Sequence, residues 1–107
     1  MKIPLIIPVF TMAMLLQPAP LLAQNASDVG HGREIARAIC SACHVVVKGQ
    51  LASPNSEAPP FPTLAATPGM TAIALTAALL TSHRRMPNII LEPDERRDVI
   101  AYILSLR

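Results

Sequence analysis

The feature that most constrains this chain is the pentapeptide Cys40-Ser41-Ala42-Cys43-His44, which contains both of the chain's cysteines. A disulfide between Cys40 and Cys43 would close so short a loop that it would stabilise the fold little. Such a pair is typical of a redox-active dithiol or of a cofactor attachment site. His44 favours the attachment site, and no alternating strand and helix pattern supports the thioredoxin-like fold of a dithiol protein.

The spacing C-x-x-C-H is that of covalent haem attachment. Two cysteines three positions apart lie on one side of a helical turn, where each sulfur can bond to one of the two vinyl groups of haem. The same anchors hold the imidazole of His44 beneath the iron. Zinc is disfavoured, because a structural zinc site needs about four ligands and the chain has no second cysteine pair. Cys40, Cys43 and His44 are therefore predicted to hold one covalent haem c.

Met86 is the candidate for the second axial ligand of the iron. Its position between two predicted helices suits a ligand supplied by a connecting segment, and Pro87 restricts its backbone to extended geometry. A thioether sulfur opposite histidine favours ferrous iron and raises the reduction potential. The alternatives are that Met86 packs in the core or that His83 ligates the iron. Met70 is interpreted as a packing residue.

Residues 1–23 are predicted to be a signal peptide. Lys2 is their one charged residue, and the apolar run that follows is short and is interrupted by Pro4 and Pro8. Cleavage is expected after Ala23, and an uncleaved membrane anchor is the alternative. The mature protein would have no membrane-spanning segment and would lie in the periplasm.

Removal of the signal peptide leaves one domain, residues 24–107, of about 84 residues. Loss of Lys2 lowers the formal charge from +2 to +1, which excludes nucleic-acid binding by bulk charge. An apolar core of this size is only marginally stable, and Phe61 and Tyr102 are its two aromatic residues. A bound macrocycle would supply the missing apolar volume.

Apolar residues at helical spacing predict an all-α domain with no strand. The connection over residues 45–70 carries five prolines and is predicted to be a long loop that a ligand organises. His31, in the first helix, has no supporting neighbour in sequence and is given no role. The first predicted helix is capped by Ser27 or Asp28 and runs through Gly32 to Ile39. The second runs over about 72–81, is capped by Thr71 and is expected to be well buried. The third starts at Pro93 and runs to about residue 106.

Over about residues 29–106 the chain resembles the class I cytochromes c, and specifically their small bacterial periplasmic members. The resemblance rests on the Cys40 to His44 motif, on Met86-Pro87 and on the C-terminal sequence Val99-Ile100-Ala101-Tyr102-Ile103. It implies a cytochrome c fold with three to four helices around one haem.

The resemblance also implies roles for individual residues. Gly32 would let the first helix cross closely against the last one near Tyr102. A proline carbonyl would orient the His44 ring, with Pro59 preferred and the adjacent Pro60 left open. Ala36 departs from the family, whose members often have an aromatic residue there, so weaker packing between the two helices is expected.

The implied function is electron transfer by a monomer that is not an enzyme, because two axial ligands leave iron no open position. Its partners would be periplasmic or membrane oxidoreductases, and Arg84 and Arg85 could steer an acidic partner or simply be solvated. One alternative is a dedicated haem subunit of a periplasmic dehydrogenase. Another is a haem sensor or peroxidase-like enzyme in which the sixth ligand is labile.

Overall fold

The computed structural model describes residues 1, 4, 26–50, 52–83 and 85–107. Apart from residues 1 and 4, the predicted signal peptide lies outside the described residues, as does Arg84. The described part contains no strand, which confirms the all-α prediction. Its elements are α1 (Val29–Ala38), a 3₁₀ turn (Cys40–Ala42), α2 (Phe61–Ala66), α3 (Ala72–Leu80) and α4 (Pro93–Leu104).

Helices α1 and α4 form the main helix pair, and they meet at Gly32. A Cβ atom placed on Gly32 would lie 2.0 Å from the backbone oxygen of Asp98, so only glycine permits this approach. The close contact falls one turn before Tyr102 on α4. Ala36, one turn further along α1, is fully buried in the same interface.

The ends of these helices follow from their local sequences. The Asp28 side chain accepts a hydrogen bond from the His31 backbone N–H at 3.0 Å, so Asp28, rather than Ser27, caps α1. Pro93 occupies the first turn of α4, where its missing N–H costs nothing. Glu92 and Glu95 form a reciprocal capping box at the same end.

The short helix α2 was not predicted, since the prolines around it were interpreted as breaking any regular element. Pro60 instead occupies the N-cap position and Pro62 lies in the first turn, where proline is compatible with a helix. Phe61 and Ala65 are the buried residues of α2. The connection between the 3₁₀ turn and α3 is therefore not a continuous loop.

Helix α3 begins as predicted, because the Thr71 hydroxyl accepts a hydrogen bond from the Ala74 N–H at 3.2 Å. The expectation that α3 is well buried was wrong: Leu75 is its one fully buried residue, and Ile73 is 83% exposed. Within the described part of the chain, the covering of α3 comes mainly from α4. Much of its apolar surface is not covered by protein.

The core lies where α1, α2, α3 and the segment after the 3₁₀ turn pack against α4. Met70 packs at its edge, as predicted. Among the described residues, none of the helices is both long and apolar enough to cross a bilayer. The buried cluster consists of Ile35, Ala36, Val46, Phe61, Ala65, Leu75, Leu91, Val99, Ile100, Tyr102 and Ile103.

Candidate haem site

The C-x-x-C-H motif lies in the turn that follows α1. After α1 ends, the chain tightens into the 3₁₀ turn, in which the Cys43 and His44 backbone N–H groups both donate to the Cys40 carbonyl, at 3.2 and 2.9 Å. Cys40 and Cys43 are half-buried and are not joined by a disulfide. The turn therefore presents two free thiols close to His44.

The environment of Cys40 does not favour thiolate chemistry. Burial raises the pKa of the Cys40 thiol above its usual range, because the charged form loses hydration. Redox-active and nucleophilic cysteines need a lowered pKa instead. The burial of Cys40 therefore argues against the dithiol interpretation of the cysteine pair.

His44 makes one hydrogen bond that defines its chemistry. Its Nδ1 lies 2.7 Å from the Pro59 carbonyl oxygen. A carbonyl can only accept, so Nδ1 carries a proton, and in the neutral ring Nε2 keeps the lone pair that a metal ligand needs. Pro60, the alternative, instead provides the N-cap of α2.

Two contacts around His44 were not anticipated from the sequence. The Phe61 ring lies 5.3 Å from the His44 ring, centroid to centroid, and is tilted by 47°. The backbone N–H of Asn55 donates to the Cys43 carbonyl at 3.2 Å. Part of the loop predicted to depend on a ligand is thus organised by hydrogen bonds to the motif itself.

Met86 is half-buried in the connection between α3 and α4. Its backbone N–H donates to the carbonyl of His83 at 3.1 Å, which closes a turn between the two residues. The side chain of His83 is exposed, and its Nδ1 lies 3.0 Å from the Thr81 carbonyl oxygen. Both candidate ligands therefore belong to one short turn.

The charged side chains of Arg85 and Lys48 each contact an oxygen atom of another residue. The Nε of Arg85 lies 3.5 Å from Glu57, and both side chains are mostly exposed, so the pair contributes little stability. Lys48 donates to the backbone oxygen of Arg107 at 2.9 Å. No cluster of at least three His, Cys, Asp or Glu side chains suited to a metal occurs in the described residues.

Comparison with known proteins decides the family. The sequence model of the cytochrome c family matches residues 29–107. The chain belongs to the cytochrome c family. It is also 40% identical, over 82 residues, to cytochrome c-552 of Bradyrhizobium diazoefficiens, an alignment that covers 77% of this chain and 78% of that protein. No significant match to a solved structure was found.

Family membership means that this cytochrome carries covalently bound haem c and functions in haem-based electron transfer. The residues present fit that group. Cys40 and Cys43 are free thiols at the attachment spacing, and the proton on Nδ1 of His44 leaves Nε2 available to iron. The uncovered apolar surface of α3 suits a large apolar ligand. When bound, the haem supplies an iron that cycles between ferric and ferrous states.

Proposed function

We propose that this cytochrome is an exported carrier of single electrons in which His44 and Met86 are the axial ligands of the haem iron. Cys40 and Cys43 would hold the haem through thioether bonds. The observation that carries the proposal is the 2.7 Å hydrogen bond from His44 Nδ1 to Pro59, since it leaves Nε2 free for iron and fixes the ring's orientation.

The choice of Met86 as sixth ligand is supported by its surroundings. It lies half-buried in a short connection, where the turn to His83 and the restriction from Pro87 limit its backbone. Met70, by contrast, packs against the core. A histidine and methionine pair favours ferrous iron and gives a higher potential than two histidines would.

This ligation supports an electron carrier rather than an enzyme. With both axial positions filled, a substrate has no coordination site on the iron, and electrons pass to partners without bond formation. The protein then serves to bind the haem, to exclude water from it and to present it to a partner in a short-lived complex.

The proposal includes export. Residues 1–23 would be removed as a signal peptide, and residues 24–107 would fold as a monomeric domain in the periplasm. Covalent haem attachment fits that compartment, and the partners would be periplasmic or membrane oxidoreductases. The amino-terminal sequence of the purified holoprotein tests the cleavage, with Gln24 as the expected first residue.

The ligation is tested by absorption spectra of the holoprotein, matured with haem-attachment machinery, when oxidised, when reduced and when reduced under carbon monoxide. We expect a low-spin spectrum that carbon monoxide does not change and a weak sulfur-to-iron band in the oxidised protein. A shift under carbon monoxide would show an open or labile sixth position and favour the sensor or peroxidase-like alternative.

Met86→Leu removes the sulfur while nearly keeping the side-chain volume. We expect the variant to bind carbon monoxide. We also expect its midpoint potential to fall by at least about 59 mV, which corresponds to a tenfold change in the ferrous-to-ferric ratio. Met70→Leu is the matched control and should change neither property. Equal potentials in Met86→Leu and Met70→Leu would show that Met86 is not a ligand of the iron.

A second candidate, a dedicated haem subunit of a dehydrogenase, is favoured by exposed apolar side chains. Outside α3, Ile90 is 85% exposed and Ile39 is 40% exposed. A permanent subunit needs such a surface for a stable interface. Size-exclusion chromatography of the protein from its native periplasm distinguishes the two, since a free carrier elutes at its monomer mass.

A further inference from the structure

Residues 44–46, called the His44 segment below, include two buried valines. Val45 is fully buried and Val46 is 4% exposed, and neither belongs to a helix or strand. A buried segment without regular structure needs hydrogen-bond partners from elsewhere in the chain for its backbone groups. Those partners decide where the segment, and with it the His44 ring, lies.

One partner comes from the loop that also supplies Pro59, and another is the first residue of α2. The backbone N–H of Val45 donates to the Ser53 hydroxyl at 3.1 Å, and the Val45 carbonyl accepts from the Phe61 N–H at 2.9 Å. These bonds join the His44 segment to the loop and to the start of α2. Neither hydrogen bond connects the His44 segment to α1 or α4.

The side chain of Tyr102 connects the His44 segment to α4. Its hydroxyl donates a buried hydrogen bond to the Val46 carbonyl, which can only accept. Tyr102 is 5% exposed and lies on α4, one turn after the close contact with Gly32. Among the described residues, this is the side-chain hydrogen bond that joins a long helix to the His44 segment. Because α4 packs tightly against α1, the position of the Tyr102 hydroxyl is well fixed.

We propose that Tyr102 is a positioning residue for His44, which holds the His44 segment so that Nδ1 stays within hydrogen-bond distance of Pro59. This inference rests on the proposed ligation of iron by His44. Without the hydroxyl, the Val46 carbonyl loses its buried partner and the segment shifts toward water. The Nδ1 bond then weakens, and His44 becomes a poorer electron donor to iron. Ferric iron loses stabilisation and the midpoint potential rises.

The test is Tyr102→Phe, which removes the hydroxyl and keeps the ring. In the ferrous holoprotein, NMR measures the exchange of the His44 Nδ1 proton with solvent. We expect exchange at least tenfold faster than in the wild type. The midpoint potential should rise by at least a twofold change in the ferrous-to-ferric ratio, about 18 mV.

Ile100→Ala is the matched control. Ile100 is a buried residue of the same helix, so its truncation loosens α4 without removing the hydroxyl. It should lower stability and leave both the exchange rate and the potential near those of the wild type. Equal exchange rates and potentials in Tyr102→Phe and Ile100→Ala would overturn the positioning role.

A second measurement tests the same role if Tyr102→Phe does not fold. Tyr102 is the chain's one tyrosine, so growth on 3-fluorotyrosine modifies this position alone. The more acidic hydroxyl donates a stronger hydrogen bond, and the His44 proton should exchange more slowly. Unchanged exchange would count against the proposal. A high-spin spectrum of the wild type would instead overturn the ligation, whatever the variants do.

Discussion

The chemistry of His44 depends on which ring nitrogen carries the proton, and a neighbour fifteen positions away decides it. The motif places the imidazole beside Cys40 and Cys43 but leaves both tautomers open. The Pro59 carbonyl, at 2.7 Å from Nδ1, selects the tautomer whose Nε2 can bind iron. A backbone carbonyl can only accept a hydrogen bond, so the ring nitrogen that faces it is the one that carries a proton.

Among the four glycines of the chain, Gly32 leaves the least space for a side chain. Gly32→Ala would place a methyl group 2.0 Å from the backbone oxygen of Asp98, and backbone cannot yield as a flexible side chain does. We expect a loss of about 3 kcal/mol in the free energy of unfolding, or failure to accumulate holoprotein. Denaturant unfolding of the holoprotein measures it.

Gly30 provides the control for this prediction, because it lies on the same helix. A Cβ there would meet only the Asp28 side chain, at 3.3 Å. Gly30→Ala should therefore change the free energy of unfolding by no more than about 1 kcal/mol. Equal losses in the two variants would show that the α1–α4 crossing is looser than the structure indicates.

Helices α1 and α4 are also joined by a polar contact. Asp98 is a buried residue of α4 whose carboxylate accepts from the Asp28 backbone N–H at 2.8 Å and pairs with His31 Nδ1 at 2.9 Å. Arg97 Nε lies 3.5 Å from the same carboxylate. The carboxylate thus joins the N-cap of α1 to the middle of α4. His31, which was given no role from sequence, is part of the interface between helices.

These contacts shift both titrations. The hydrogen bond from the Asp28 backbone N–H, followed by that from His31, lowers the pKa of Asp98. The hydrogen bond to Asp98 raises the pKa of His31, and the carboxylates of Asp98, Asp28 and Glu34 add to the effect. The His31 contribution to stability is present below its unfolded pKa of about 6.5 and is lost as pH rises through the folded value. The Asp98 contribution is present above about 3.9 and is lost as pH falls through its lowered value.

We therefore predict that the α1–α4 contact contributes most between about pH 4 and about pH 6.5. In His31→Gln, which keeps a donor but does not titrate, the loss of stability between about pH 6 and about pH 8 should be smaller than in the wild type. Unfolding curves across this range measure it. His83→Gln, which changes an exposed histidine, should keep the wild-type slope. Identical slopes in His31→Gln and the wild type would contradict the prediction.

The described part of the polypeptide buries only a small apolar core. Helix α3 has apolar side chains around most of its surface, yet Leu75 is its one fully buried residue. The family's covalent haem provides the large apolar surface that such a helix can cover. Haem attachment is therefore expected to be a condition of stable folding as well as of electron transfer.

Removing the attachment points tests this dependence. In a Cys40→Ala/Cys43→Ala double variant we expect a marked loss of helix and no cooperative thermal transition, because a domain of this size has little stability to spare. Circular dichroism measures both properties. Ser41→Ala, within the same turn, keeps both thiols and should retain the wild-type transition. A cooperative transition in the double variant would show that the polypeptide folds without its haem.

The attachment motif, the all-α class and the approximate limits of three helices could be predicted from local sequence. Each of these depends on residues close together in the chain: the spacing of Cys40, Cys43 and His44, the caps at Asp28 and Thr71, and Pro93 in a first turn. The short helix α2 was missed, because the same prolines that end helices also start them.

The contacts between groups that are distant in sequence could not be predicted and follow from the folded arrangement of the helices. The pairing of His31 with Asp98, the Phe61 ring beside His44 and the hydrogen bond from Tyr102 to Val46 join residues far apart in sequence. Such contacts depend on how the helices cross and on how the loop returns to the motif, and no local pattern encodes either. The physical reason is that spacing along the chain specifies local backbone geometry, whereas packing of the whole chain specifies the environment of each side chain.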